Sequence, residues 1–224
     1  MLYVANKKRK LEKIQQQYPG ADILDITSTA DKRYAQLLSP FYPHGGIPVP
    51  FTPGMTAACV EGIWQGLKVF EHEDVNLSTM QNGTMKGLKR TVRKLGMPRG
   101  HRKGVYGTEL LDYFSARMLI YIPSYRWMLE NIPEVKAIVE KIRERSKEND
   151  VVLLDYNTNI DFRDISAPLS HAGLIKAYID GTYPRDGEVY LPLTQEEMEA
   201  KKKQTKARNT KKKNKTNKKQ LELF

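Results

Sequence analysis

The chain of 224 residues has one cysteine, Cys59, so no disulfide can form within it, and a reducing setting such as the cytosol is expected. It contains no run of ~18 or more apolar residues, which excludes a helix that crosses a membrane. No apolar segment follows the early charges Lys7-Lys8-Arg9-Lys10, so the N-terminal stretch does not read as a secretory signal. Walker, G-x-G-x-x-G and H-E-x-x-H patterns are missing. His44, His72, His101 and His171 are scattered, each read as structural or surface rather than as a ligand. Cys59 has no local signature of a nucleophile. Neither a metal nor a cofactor is implied, and thiol chemistry and metal-assisted hydrolysis are disfavoured.

Acidic residues are missing from two stretches. Residues 201–219 carry eleven Lys/Arg and no acid, so they hold the formal excess of +11, while residues 1–200 have 26 basic and 25 acidic side chains. The basic character belongs to the end of the chain, and the body is close to neutral. No acid lies between Asp74 and Glu109 either. There Lys86, Lys89, Arg90, Arg93 and Lys94 recur at a spacing that would put most of them on one helical side. Arg99, Arg102 and Lys103 continue among glycines. Such a cluster can hold phosphates of a nucleic acid or a nucleotide. The alternative is a solvated helix face.

Periodicity predicts a short helix over 5–18, stopped by Pro19-Gly20, and a half-buried strand over 22–27. Residues 39–54 hold five prolines and three glycines but also Phe41, Tyr42, Ile47, Val49 and Phe51, as an anchored loop would. A helix is expected over 55–70, with Val60, Ile63, Trp64, Leu67 and Phe70 on one face. Gly62 and Gly66, four apart, imply close approach by another segment or a ligand. Residues 109–131 read as a helix broken at Pro123, and 133–147 as another. The buried strand is 151–156, and a last helix starts near Pro168, runs through Ile179 and ends at Gly181. The expected class is α+β: a mostly helical single domain with a small β-sheet over 1–195, a disordered Lys-rich linker over 196–219 and a terminal peptide over 220–224.

Carboxylates remain as candidates for chemistry. Glu61 is the acid within the glycine-containing helix. Asp155 ends an apolar strand, a costly place unless it is paired or used; a cap or an Arg partner is the structural alternative. Asp161 and Asp164 follow in a polar turn, where acids more often serve as turn residues.

The terminal Gln220-Leu221-Glu222-Leu223-Phe224 places three large apolar side chains after nineteen residues with no aromatic or branched aliphatic side chain. It resembles the linear motif with which bacterial polymerases and repair proteins enter the hydrophobic pocket of the sliding clamp. Gln220, Leu221, Leu223 and Phe224 would then be the clamp contacts. The lysines before them would track a phosphate backbone, or serve only as a solubilising tail.

The order Ser39-Pro40-Phe41, a Pro-rich loop, then Val60-Glu61-Gly62-Ile63-Trp64-Gln65-Gly66-Leu67-Lys68-Val69-Phe70 resembles the NADAR superfamily, which includes the YbiA-type N-glycosidases. The similar order continues through Leu153-Leu154-Asp155 and Ala172-Gly173-Leu174, over roughly residues 25–180. The resemblance implies an α+β domain that cleaves N-glycosidic bonds, in ribosides or in ADP-ribose attached to guanine. It gives Glu61 the part of the helix acid, with Gln65 and Lys68 beside it, and sets Asp155 or Asp161 near the late acids. Tyr106 falls near an aromatic of the middle segment; Phe41, Tyr42 and Asp164 complete the candidate substrate contacts. Two features depart from the family: Arg163-Asp164 stands where a Trp-Gly is expected, and the Asn before the last Gly-Leu is missing. The expected function is a clamp-tethered N-glycosidase acting on a modified or ADP-ribosylated base of single-stranded or replicating DNA. It would work in the cytoplasm of a bacterial or phage-infected cell, near the nucleoid. The competing readings are a non-catalytic replication-associated DNA- and clamp-binding factor and a phage enzyme of DNA base modification.

Overall fold

The computed structural model describes residues 1–204, and its first element is a strand, β1 (Leu2–Asn6), where the sequence predicts the start of a helix. Helix α1 (Leu11–Gln17) keeps only the second part of the expected 5–18 span, and β2 (Asp22–Asp25) follows. Pairing decides this. Strand β8 (Val151–Asp155) lies between β1 and β2 and is parallel to both, with Leu2 opposite Val151 and Asn6 opposite Asp155. The central strand is covered on two faces, which is why it reads as a continuous apolar run. Val152 and Leu154 join Ala5 and Ile14, while Val151 and Leu153 enter the main core.

After α2 (Arg33–Gln36), the Pro-rich loop is ordered as expected. Ile47 and Val49 are buried, and β3 (Ile47–Pro48) pairs with β4 (Thr56–Ala57). The helix expected over 55–70 is trimmed at both ends to α3 (Val60–Leu67). Cys59 caps it, its Sγ accepting from the Gly62 N–H at 3.2 Å. At the other end Lys68, Val69 and Phe70 leave the helix as β5 (Lys68–Phe70). It pairs with β6 (Pro98–Arg102), and β6 pairs with β7 (Leu110–Leu111). Helix α4 (Leu77–Met80) packs on the bare side of α3. A Cβ on Gly62 would lie 3.0 Å from the Thr79 carbonyl oxygen, and one on Gly66 2.3 Å from Met80 Cγ.

The basic stretch does not form the one-sided helix predicted for it. Gly87, at φ 68°, turns the chain, the Asn82 side chain donates to the Lys86 carbonyl, and only α5 (Val92–Leu95) is helical. Helix 109–131 is likewise subdivided. Asp112 caps α6 (Tyr113–Ala116), a π-helical turn (Arg117–Tyr121) follows, and α7 (Ile122–Asn131) continues. The Ile122 N–H reaches back five residues to the Arg117 carbonyl. The widened turn lets Pro123, which has no N–H to give, enter α7 without a break.

Helices α8 (Pro133–Glu148) and α9 (His171–Ile179) pack on β8, and α9, expected to start near Pro168, begins at His171 with Ser170 as its cap. Residues 195–204 are helical. The readings placed on residues 205–219 and on Gln220, Leu221, Leu223 and Phe224 lie outside the described residues. The architecture is a mostly helical α+β fold with three small sheets among the described residues. No described helix is long and apolar enough to cross a membrane.

Gly66→Ala is expected to cost about 1–3 kcal/mol, because Met80 and the Asn76 carbonyl cannot both withdraw. Urea unfolding measures this, and an unchanged midpoint would refute the tight α3–α4 contact.

Candidate functional site

Because β1, β8 and β2 are parallel, the loops that follow them open on one edge of the sheet, the usual place for a ligand crevice in parallel sheets. A cleft of about 640 Å³ lies there, between that edge and α3. The loops contribute Lys8, Thr27, Ser28, Tyr156 and Asn157. Helix α3 contributes Glu61, Trp64 and Gln65, with Lys68 just beyond it, and Tyr113, Arg117 and Tyr121 form another part of the lining. The volume suits a drug-sized or nucleotide-sized ligand.

Glu61 is 8 % exposed. Its N–H donates to the Pro40 carbonyl at 2.8 Å, which fixes the start of α3 to the Pro-rich loop and brings Phe41 to the cleft. Its Oε1 accepts from Gln65 Nε2 at 2.9 Å. Burial raises the Glu61 carboxyl above its usual range, against the opposing hydrogen bond of Gln65 and the charges of Lys89, Lys68 and His171. Burial in turn lowers the Lys68 amine, which the charge of Glu61 supports. Each group limits the other's shift.

Across the cleft, Asp155 and His171 form a buried pair at 3.0 Å, Oδ2 to Nδ1. The other ring nitrogen of His171 is 3.0 Å from the Ile26 carbonyl. Two acceptors for one imidazole require both nitrogens to donate, so the ring carries its proton. Burial opposes that charge, but Asp155 outweighs it and holds His171 above its ordinary value. Conversely, burial alone would raise Asp155, and the His171 charge, with the Ser170 hydroxyl donating at 2.7 Å, keeps it low.

Two further groups come from the π-helical turn. Arg117 is fully buried and donates to the carbonyls of Phe162, Asp164 and Ala167 at 3.0, 2.7 and 2.9 Å, with no carboxylate partner among the described residues. Tyr121 points its ring at Trp64, centroids 5.6 Å apart. Burial, with Glu61 and Asp155 nearby, pushes its phenol far up, so it remains a donor. Trp64 rests on His101, centroids 3.9 Å apart. His101 is 2 % exposed, neither ring nitrogen has a hydrogen-bond partner, and burial and Lys68 lower it to about 3.

Of the residues singled out from sequence, Glu61, Asp155, Phe41, Gln65, Lys68 and Lys89 line this one cleft. Asp161 and Asp164 do not. They line an adjoining groove of about 400 Å³, where Lys201 bonds both, at 3.1 and 2.7 Å. Burial would raise Asp164, but Lys201 and Ser166 bring it to about 2. Tyr42 stacks on His44 away from the cleft, and Tyr106 is 80 % exposed outside it.

The basic cluster divides. Arg90 donates to the carbonyls of Gln65, Lys68 and Asp74, Arg102 pairs with Asp74, and Lys103 with Glu109. Lys86, Arg93 and Arg99 face solvent. Sequence reasoning missed His171, Arg117 and Tyr121 as parts of the site. The one signal within reach was the Ser170-His171 pair at a helix start, facing a strand that ends in an acid. Among the described residues, no group of three or more His, Cys, Asp or Glu side chains could hold a metal ion.

A family model described as a family of unknown function (DUF6939) matches residues 6–175, more than half of the chain, so the chain belongs to that family. Every cleft residue from Lys8 to His171 falls within the match, whereas Lys201 lies beyond it. No curated protein and no solved structure matches the chain.

His101 also predicts a pH dependence. From 6.5 down to about 3, the unfolded chain takes up a proton that the folded chain refuses. Stability therefore falls as pH drops through that window, by about 2–3 kcal/mol at about pH 4.5. His101→Phe keeps a ring under Trp64 and should remove that share of the loss. Equal losses for both proteins between neutral pH and that pH, measured by urea unfolding, would refute it.

Proposed function

We propose that this member of the DUF6939 family is an N-glycosidase that hydrolyses the bond between a sugar and a modified or ADP-ribosylated base in DNA. The observation that carries the reading is Glu61: a buried carboxylate, raised by burial and oriented by Gln65, on the wall of a nucleotide-sized cleft. Cleaving an N-glycosidic bond leaves positive charge on the sugar and negative charge on the departing base. A carboxylate beside the sugar carbon stabilises the first and takes a proton from the attacking water, and its raised basicity favours that transfer. The neutral phenol of Tyr121, which has no hydrogen-bond partner among the described residues, offers a hydrogen bond to the departing base, which is finally neutralised by the proton that Glu61 takes from water. His171 has committed both N–H groups to Asp155 and Ile26, so it acts as a fixed charge and not as the proton donor.

The remaining parts of the proposal concern place and partners. Residues 201–219 give sequence-blind attraction to DNA, and residues 220–224 bind the sliding clamp, which puts the enzyme at single-stranded or replicating DNA in the cytoplasm. Supply of unpaired bases there would spare the cost of flipping one out of a duplex.

Incubation with guanine-ADP-ribosylated DNA should release ADP-ribose or free base with the wild type. Glu61→Gln should slow release about 10²–10⁴-fold without loss of folding. No release by the wild type across DNA and nucleotide substrates would sink the glycosidase and leave a DNA- and clamp-binding factor. Removal of residues 220–224 should abolish clamp pull-down; unchanged capture refutes the tether.

A further inference from the structure

Lys7 and Lys8 are adjacent where β1 ends, yet their surroundings differ. Lys7 is consumed: its amine pairs with Asp25 at 2.6 Å and donates to the hydroxyls of Thr27 and Thr29 at 2.9 and 2.7 Å. Those bonds tie the loop after β1 to the loop after β2. Lys8 lines the cleft, and its amine has no hydrogen bond or ion pair among the described residues. The half-buried Ser28 and the exposed Asn157 line the same end, and their side chains make no hydrogen bond there either. They follow β2 and β8, so one free donor arrives from each of the three parallel strands.

The carboxylates nearby are not available to repel an anion. Asp25 is held by Lys7 and Thr27, and Asp155 by His171 and Ser170. In all, Lys8, Lys68, Lys89, Arg117 and the protonated His171 line the cleft against Glu61 and Asp155, on a body whose first 200 residues are within one charge of neutral. A cleft walled by protein concentrates the field of such an excess. An ammonium, an amide and a hydroxyl that follow three neighbouring parallel strands, each side chain without a hydrogen-bond partner among the described residues, are donor chemistry suited to a tetrahedral oxyanion.

We propose that Lys8, Ser28 and Asn157 form a phosphate subsite at the sheet end of the cleft, set apart from the Glu61 wall. The assignment rests on the glycosidase reading only for what lies at the other end; the subsite itself is a matter of binding. One phosphate chemistry has two sources here, the diphosphate of a free nucleotide sugar or the backbone of a nucleic acid strand.

Calorimetric titration of the full chain at physiological salt distinguishes them, with ADP-ribose, adenosine and a twelve-nucleotide single strand as probes. Lys8→Ala should weaken ADP-ribose about tenfold or more, the size expected for one charge-assisted contact, and leave any adenosine binding unchanged. Lys10→Ala, an exposed neighbour outside the cleft, should change neither. Loss for ADP-ribose assigns the subsite to a nucleotide phosphate; loss confined to the oligonucleotide assigns it to the strand backbone. No Lys8 dependence with either phosphate probe, equal weakening by Lys10→Ala, or no binding of either probe by the wild type overturns the subsite. Lys8-dependent binding that persists in Glu61→Gln without turnover keeps it separate from the fate of the glycosidase.

Discussion

The paired burial of Asp155 and His171 is the constraint on which the cleft depends. Asp155 ends the central strand, and its Oδ2 accepts from the Ser170 hydroxyl and faces His171 Nδ1, while Oδ1 accepts from the Tyr156 N–H at 2.6 Å. Ser170 passes the connection on by capping α9, and His171 reaches the Ile26 carbonyl behind β2. One carboxylate thereby joins a strand end, a helix start and the neighbouring loop. A buried charge that lost its partner would cost several kcal/mol, so the pair stands or falls together. The sheet edge is fixed by that requirement, and the loops bearing Lys8, Ser28 and Asn157 are placed by it.

The opposite wall has a different support. Arg117 is a buried cation satisfied mainly by carbonyl oxygens, and three of them belong to residues 162–167. The loop that follows β8 is therefore held from beneath by a helix 45 residues earlier in the chain. Backbone carbonyls supply hydrogen bonds but no neutralising charge, so the positive field of Arg117 persists toward the cleft. Arg90, Arg102 and Lys103 show the contrasting case, cations that do not line the cleft and are spent on carboxylates and carbonyls. A nearly neutral body is thus compatible with one strongly cationic concavity, because location and partners matter more than the total.

Much of the fold was legible because its signals are local. The run at 151–155 and the apolar face of α8 follow from periodicity alone, and Gly62 and Gly66 announced the approach that α4 makes. Strand β1 was not legible: residues 2–6 are a strand only because β8, nearly 150 residues later, offers an edge. The same is true of Val69 and Phe70, whose apolar spacing extends α3 on paper while β6 draws them into a sheet. Spacing of lysines over 86–94 implied a helix because periodicity ignores Gly87. Within the site, Glu61, Gln65 and Lys68 were readable as neighbours on one helical face. Arg117 and Tyr121 were not, since their roles come from contacts across 45 and 57–60 residues, for which composition and spacing hold no signal; for His171, 16 residues from Asp155, the Ser170-His171 helix start was the one hint.

The two buried acids divide the labour that one cleft requires. Asp155 is stabilised in its charged form by a protonated histidine and several donors, which makes it a weak base and a strong structural post. Glu61 has one hydrogen bond and cations no closer than electrostatic range, so burial dominates and its affinity for a proton rises. Had Lys68 or Lys89 closed into an ion pair with it, Glu61 would resemble Asp155 and lose that basicity. Their separation from the carboxylate leaves the acid reactive and the lysines open to an anion in the same cleft.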